Sequence, residues 1–193
     1  MKPQLVVLAG PNGAGKSTFY DVFLAGSPLP FLNADLFAAK AGIDALEAAR
    51  ILDATRGRMI AARLSFVTET VFSDPYGAKL AMLRAAVDAG YDVTLLYIGV
   101  ASAELSARRV DQRIETGGHD VPRDRIAPRF KRSLANLEAA IAFVPVVEIY
   151  DNSSAANPYK HVATFKAGAL SWRTRSASPR WVRDVVGADR SKR

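Results

Sequence analysis

Near its N-terminus the chain carries a segment whose residue types and spacing suit phosphate binding. The segment GPNGAGKST follows the apolar run LVVLA and fits the pattern G-x-x-x-x-G-K-[ST] between a strand and a helix. In that context backbone N–H groups close around phosphates, and the helix N-terminus adds positive charge. Lys16 is expected to reach the β- and γ-phosphates, and the Ser17 hydroxyl to bind Mg²⁺. We therefore predict ATP and Mg²⁺ as cofactors, held by Gly10, Pro11, Asn12, Gly13, Ala14, Gly15, Lys16, Ser17 and Thr18; a glycine-rich turn with a chance lysine is the alternative.

The same loop suits motor ATPases, nucleotide switches and phosphotransferases, and the rest of the sequence separates these classes. An ABC-type ATPase needs a segment of the LSGGQ kind and a strand that ends in an Asp–Glu pair, but the strand DVTLLYIGV ends in Gly99 and Val100. A GTPase needs an NKxD-like segment, which the sequence lacks. The pattern therefore favours a phosphotransferase.

Two acidic residues follow predicted strands, where the ligand crevice of an open α/β sheet lies. Asp35, in FLNADLF, is predicted to accept the proton of an acceptor hydroxyl; a helix N-cap is the alternative. Glu69, in FVTETVF, is predicted to bind the acceptor together with Thr70, or to hold a water on Mg²⁺. For Glu69 the alternative is a solvated carboxylate at a strand end.

Arginines form two rows at helical spacing. The rows comprise Arg109 and Arg113 on one predicted helix and Arg125, Arg129 and Arg132 on the next. They flank a bend at Gly117–Gly118 and predict a helical arginine lid over a triphosphate, with forked donors that match phosphate oxygens. We assign Arg109 to the nucleotide and Arg113, Arg129 and Arg132, with Lys16, to catalysis. An ordinary solvated basic face is the alternative. His119, in the bend, is assigned to the acceptor, with a plain loop residue as the alternative.

Apolar runs that alternate with helix-period segments position these residues, which indicates βαβ units and a parallel sheet. Five strands are predicted in QLVVLAG, FLNAD, SFVTET, DVTLLYIGV and VVEIYDN, and HVATFKAGALSWR predicts a hairpin or an edge strand. We expect residues 1–174 to form one domain and residues 175–193 a basic C-terminal tail, with a short helix around Trp181.

Composition narrows the class of protein further. The chain has 193 residues, 49% of them hydrophobic and 23% charged, which is typical of one soluble globular domain. No membrane span or signal peptide is evident, and the absence of cysteine fits a cytoplasmic protein. The net charge is +7, but seven basic and only two acidic residues lie after Leu170. Because the basic charge belongs mostly to the C-terminal segment, a nucleic-acid-binding core is not expected.

The motifs LAGPNGAGKST, NAD, TET, GGHDVP and RFKRSLANL together resemble small stand-alone members of the zeta-toxin family of P-loop kinases, from about Leu5 to Asn152. The resemblance implies an α/β, three-layer P-loop kinase-like fold with a five-stranded parallel sheet, and ATP and Mg²⁺ as cofactors. It also implies phosphorylation of the sugar 3′-hydroxyl of UDP-N-acetylglucosamine and an antitoxin protein as a partner. By matched motif, Lys16 is the phosphate-loop lysine and Asp35 the base. Glu69 falls near the family's acceptor-binding acid, and the Arg109–Arg132 region supplies the transition-state arginines. The chain is shorter than the longer toxins, and its lid does not match theirs residue by residue.

The leading hypothesis is an ATP-dependent kinase for a small-molecule hydroxyl, with a nucleotide sugar as the acceptor and no membrane partner. One alternative is a nucleotide-dependent binding module that uses its basic tail on nucleic acid or an acidic partner. In that case Trp172 and Trp181, which alternate with arginines, would stack on bases. These tryptophans could instead pack the tail onto the core. A kinase for another metabolite or antibiotic hydroxyl is a further alternative.

Overall fold

A computed structural model describes residues 1–115, 122–176 and 178–187. Its centre is a seven-stranded sheet in the order β2-β3-β1-β4-β5-β6-β7. The strands are β1 (Gln4–Ala9), β2 (Phe31–Leu32), β3 (Phe66–Thr70), β4 (Asp92–Gly99), β5 (Val146–Asp151), β6 (Lys160–Lys166) and β7 (Ala169–Arg173). Pairing is parallel from β2 to β5 and antiparallel from β5 to β7. The predicted five parallel strands and C-terminal hairpin are confirmed, and the hairpin extends the same sheet.

Seven α-helices surround the sheet in the described part of the chain. They are α1 (Lys16–Phe19), α2 (Ala34–Ala41), α3 (Ala45–Ala61), α4 (Ala78–Asp88), α5 (Ala103–Glu115), α6 (Arg123–Ile141) and α7 (Arg180–Val186). A π-helix at Tyr20–Leu24 continues α1. None of the described helices combines the length and the apolar character needed to cross a membrane.

Both faces of the sheet are covered, which explains why its strands are unbroken apolar runs. In β1, Leu5 and Val7 enter one buried cluster, whereas Leu8, the residue after Val7, enters another. Alternate side chains of a strand point to opposite faces, so the two clusters lie on opposite sides of the sheet. Because all five parallel strands run the same way, their carboxyl ends meet at one edge, where the functional residues lie.

The structure contains one helix that was not predicted, and it places the predicted short helix around Trp181 against the core. The segment after β2 forms α2, a helix that was not predicted, with Asn33 as its N-cap: the Asn33 side chain accepts from the Leu36 N–H at 3.0 Å. In the segment predicted to be a basic tail, α7 packs on the core with Trp181, Val182, Val185 and Val186 buried. Pro128 lies within the continuous α6, on its exposed side.

Candidate active site

The phosphate loop between β1 and α1 is packed closely against the ends of neighbouring strands. A Cβ atom at Gly10 would lie 2.0 Å from the carbonyl oxygen of Ile98, at the end of β4. Gly15 has a left-handed backbone, with φ of 89°, and a Cβ there would lie 2.6 Å from the Asn152 amide nitrogen. Glycine at both positions is therefore required by close approach and by backbone conformation, since Gly10 also has a positive φ, of 146°.

Side chains from distant parts of the chain hold the carbonyl groups of this loop. Ser106 of α5 donates to the Asn12 carbonyl, Asn152 donates to the Ala14 carbonyl at 2.8 Å, and the Tyr159 hydroxyl donates to the Gly15 carbonyl at 3.0 Å. When these carbonyls are bonded on the protein side, the loop N–H groups are left for a ligand on the other side. None of these three side chains was predicted from the sequence. Asn152 directly follows β5, so the strand-end rule that found Asp35 could have found it.

Lys16 and Glu69 form the charged centre of the site. The Lys16 ammonium is 6% exposed, donates to the Pro11 carbonyl at 3.1 Å and lies 3.6 Å from a Glu69 carboxylate oxygen. Burial lowers the pKa of Lys16, while the negative charges of Glu69 and Asp35 act in the opposite direction. Ser17 donates to Glu69 at 3.3 Å, and the Asn33 amide donates to the same oxygen at 2.7 Å. Glu69 therefore contacts Lys16 and Ser17 of the phosphate loop and is not a solvated carboxylate at a strand end.

The Ser17 hydroxyl and the Glu69 carboxylate are hard oxygen ligands of the kind that Mg²⁺ uses. Their oxygens lie 3.3 Å apart beside the phosphate loop, so the residues present fit an ion held by one or two protein oxygens and by nucleotide phosphates.

Asp35 lies in the first turn of α2 with its side chain exposed. The alternative role as a helix N-cap is wrong, because Asn33 fills that position. Asp35 therefore projects from the helix start with its carboxylate available, in a position from which it acts electrostatically on Lys16.

Two cavities meet at Asp35 and Glu69. A cavity of about 200 Å³ is lined by the loop residues Asn12, Gly13, Gly15, Lys16, Ser17 and Thr18, together with Arg109. A larger cleft of about 510 Å³ runs from there between α2, α3, the end of β3 and α6. Five residues line both: Asn12, Asp35, Glu69, Val71 and Arg113. Of the predicted loop residues, Gly10, Pro11 and Ala14 line neither cavity, so their contribution is to the shape of the loop.

The predicted arginines divide between these cavities. Arg109 lines the smaller one and donates to the Asn152 carbonyl at 2.7 Å, and Arg113 lines both. Arg129 and Arg132 line the larger cleft, whereas Arg125 is exposed and lines neither. Partial burial and the positive charges of Arg125 and Arg132 lower the pKa of Arg129. The convergence of like charges makes the larger cleft attractive to anions. The Gly117–Gly118 bend and His119 lie outside the described residues.

The wall of the larger cleft is fixed by two hydrogen-bond networks that were not predicted from the sequence. Arg56, 4% exposed, donates to the Thr68 hydroxyl at 2.7 Å and to the Glu69 carbonyl at 3.3 Å, and so ties α3 to the end of β3.

The second network lies beyond β3, where Phe72 is buried with φ of 59°. Arg132 holds the next carbonyl, of Ser73, at 2.9 Å, and Asn136 holds that of Phe72 at 3.0 Å. Thr70 lines the same cleft and its hydroxyl accepts from the Phe72 N–H at 3.0 Å.

The two tryptophans, Trp172 and Trp181, differ in their exposure to solvent. Trp181 is 4% exposed and packs in the core, so it is not available to stack on a base. Trp172 is 46% exposed and stacks on His161 with ring centroids 4.5 Å apart. The nucleic-acid alternative thus loses one of the two aromatic groups on which it was based.

The fold and the loop define a P-loop protein with a kinase-like sheet. A family model described as Zeta toxin matches residues 41–163, more than half of the chain, and the chain therefore belongs to the zeta toxin family. The resemblance inferred from the motifs is confirmed. The matched span contains Glu69 and the site arginines and begins after the phosphate loop and Asp35.

Individual relatives are distant. An uncharacterized protein of Haemophilus influenzae is 24% identical over 136 residues, which cover 67% of this chain and 94% of that protein. Among solved structures, the AvrRxo1-ORF1:-ORF2 complex with ATP is similar with a TM-score of 0.67, at 18% identity over 88% of this chain and 60% of that chain. The PezAT chromosomal toxin–antitoxin system of Streptococcus pneumoniae is similar with a TM-score of 0.58, at 18% identity over 78% of this chain and 68% of that chain. This chain thus spans 60% of the length of the AvrRxo1 complex chain that it matches. At such identities the likeness establishes the fold.

Proposed function

We propose that the protein is an ATP-dependent kinase that transfers the γ-phosphoryl group to a hydroxyl group of a small molecule. The observation that carries the proposal is the meeting of the two cavities at Asp35, Glu69 and Arg113. Hydrolysis of ATP needs room for one water molecule, whereas the second cavity has about 510 Å³, a size typical of small-molecule sites. The site is therefore suited to an acceptor larger than water.

In the proposed reaction, ATP places its phosphates in the loop and the acceptor lies in the larger cleft. Asp35 takes the proton of the acceptor hydroxyl as that oxygen attacks the γ-phosphorus. The bond from this phosphorus to the oxygen bridging to ADP breaks, and ADP leaves with that oxygen. Lys16 and Arg113 stabilise the charge on the transferring group. When bound at Ser17 and Glu69, Mg²⁺ supplies positive charge to the phosphates.

The walls of the cleft support an anionic acceptor. Arg113, Arg129 and Arg132 present guanidinium groups to it, which match phosphate oxygens, and Asp35 and Glu69 suit sugar hydroxyls. We propose a nucleotide sugar such as UDP-N-acetylglucosamine as the first acceptor to test. Because the PezAT relative is a toxin–antitoxin system, we also propose an inhibitory antitoxin as a protein partner of this chain.

The test is incubation of the protein with ATP, Mg²⁺ and a panel of nucleotide sugars, other metabolites and antibiotics that carry hydroxyls, with products analysed by mass spectrometry. We expect one class of acceptor to gain a phosphoryl group only when both ATP and Mg²⁺ are present. ATP consumption with no modified acceptor in the panel would contradict the assignment as a kinase of these classes. Failure to bind ATP at all would contradict the nucleotide site itself.

A further inference from the structure

The C-terminal helix α7 contacts the strand ends that support the phosphate loop. Trp181 packs so closely on Gly99, the last residue of β4, that a Cβ atom there would lie 2.3 Å from the indole ring. The indole N–H donates to a carboxylate oxygen of Asp151, the last residue of β5, at 3.1 Å. Both Trp181 and Asp151 are buried, with 4% and 7% of their surfaces exposed. The bond therefore joins α7 to the carboxyl edge of the sheet within the protein interior.

The residue after Asp151 is the one that holds the phosphate loop. The Asn152 amide donates to the Ala14 carbonyl, its backbone carbonyl accepts from Arg109, and its backbone N–H donates to the Gly99 carbonyl at 2.8 Å. Tyr159, which holds the Gly15 carbonyl, also donates its N–H to the Asn152 side chain at 3.3 Å. Asp151, which accepts from Trp181, and Asn152, which holds the phosphate loop, are thus consecutive residues.

A buried carboxylate depends on its donors, because water cannot replace them. Among the residues that the structure describes, the side chains of Trp181 and Ser153 donate to Asp151. Loss of the indole N–H would leave the carboxylate under-bonded in the interior and favour its movement toward solvent. Asn152 would move with it, and the Ala14 carbonyl and Arg109 would lose a fixed partner.

We infer that Trp181 is a positioning residue of the nucleotide site, which acts through Asp151 and Asn152 to hold the phosphate loop in its binding conformation. Trp181 lines neither cavity, so it would not contact ATP bound at the phosphate loop. The inference rests on the proposal that the loop binds ATP, and it makes the C-terminal helix a functional part of the kinase domain.

The test compares two substitutions in α7 by equilibrium titration with ATP, by steady-state kinetics and by thermal unfolding. Trp181→Phe keeps an aromatic ring against Gly99 and removes the N–H donor. We expect it to weaken ATP binding by about three- to tenfold, the effect of one lost hydrogen bond, and to raise the KM for ATP more than it lowers kcat. Val185→Ala is the matched control: it shortens a buried side chain of the same helix, leaves the indole bond in place and lowers the unfolding temperature.

The result that supports the inference is weakened ATP binding in Trp181→Phe with ATP affinity within twofold of wild type in Val185→Ala. Equal loss of ATP affinity in both variants would assign Trp181 a purely structural role and overturn the inference, as would unchanged affinity in Trp181→Phe. If the wild-type protein binds no ATP, the proposed function fails instead, so the two failures are distinguishable.

Fluorescence gives a second measurement that does not depend on how well Trp181→Phe folds. The chain contains two tryptophans, and Trp172 lies on the exposed hairpin away from both cavities. In a Trp172→Phe variant the remaining emission comes from Trp181. We expect ATP to shift this emission in a saturable way, and an emission that ATP does not alter, in a variant that binds ATP, would contradict the coupling.

Discussion

The two halves of the site are built in different ways. On the phosphate-loop side, Lys16 is buried and side chains from α5, the end of β5 and the start of β6 hold the loop carbonyls. On the acceptor side, Asp35 is exposed at the start of α2, and the cleft is open between α2, α3 and α6. On the phosphate side the loop itself is thus held by the fold, whereas on the proposed acceptor side the wall of the cleft is held and Asp35 remains exposed in the open cleft. Substitutions should separate the two halves, except at residues that belong to both.

Arg113 belongs to both halves, because it lines both cavities. If it contacts the transferring phosphoryl group, Arg113→Ala should lower kcat/KM by roughly 10³-fold or more, in the range of other transition-state arginines. The control is Arg125→Ala, which removes the same charge from the exposed side of α6 and should retain near wild-type activity. A loss of less than tenfold in Arg113→Ala would exclude it from the transition state.

Asp35 should separate transfer from binding. Asp35→Asn keeps the size of the side chain and removes the base, so we expect kcat to fall by roughly 10²- to 10⁴-fold while ATP affinity is unchanged. Asp44→Asn is the matched control: Asp44 caps α3, an asparagine caps equally well, and the residue lines neither cavity. Turnover of Asp35→Asn at the wild-type rate would remove Asp35 from its assigned role.

The sequence pattern predicts a catalytic role for Arg132, but the residue lines only the larger of the two cavities, so its substitution should affect the acceptor half alone. It lines the larger cleft and holds the Ser73 carbonyl, so Arg132→Gln should raise the KM for the acceptor by about ten- to a hundredfold, the range for a lost charged hydrogen bond. The KM for ATP should stay within twofold. Lys131→Gln makes the same change of charge at an exposed neighbour and serves as the control. Parallel increases of both KM values in Arg132→Gln would show that the halves are not separate.

Tyr159 should affect the phosphate half alone, and by the smallest amount. Tyr159→Phe removes one hydrogen bond to the Gly15 carbonyl and should weaken ATP binding by about two- to tenfold without a change in the KM for the acceptor. Tyr150→Phe removes a hydroxyl that donates to Glu148, outside both cavities, and should leave ATP binding unchanged. Calorimetric titration of both variants makes the comparison, and equal affinities would indicate that the Gly15 contact does not shape the loop.

Residues of the site that follow local sequence rules could be predicted, whereas those that support the phosphate loop from distant parts of the chain could not. The phosphate loop, Asp35 and Glu69 follow from local rules, since a nucleotide loop has a fixed spacing and parallel strand ends share one edge. The partners of the loop carbonyls do not, because Ser106 and Tyr159 lie far from the loop in sequence and meet it only after folding. The N-cap at Asn33 could have been predicted from the sequence, because asparagine is among the preferred N-cap residues.

The short helix around Trp181 was predicted, but the basic composition of its segment favoured a tail over packing on the core. The excess of basic residues after Leu170 suggested a tail, yet the apolar side chains of Trp181, Val182, Val185 and Val186 recur at the spacing of one helix face. Arg180 and Arg183 occupy the exposed face of the same helix. The left-handed conformation of Phe72, in contrast, has no signal in the sequence, because it depends on packing beneath the cleft and on Arg132 and Asn136 of α6.

The fate of the γ-phosphoryl group tests the central claim most directly. Phosphorus NMR can follow ATP, Mg²⁺ and an acceptor that the panel identifies, in the presence of the wild-type protein. The account predicts that ATP is converted to ADP and one equivalent of a phosphate monoester of the acceptor, with little inorganic phosphate. Release of inorganic phosphate in place of the ester would contradict it, because the larger cleft would then not hold the group that receives the phosphoryl.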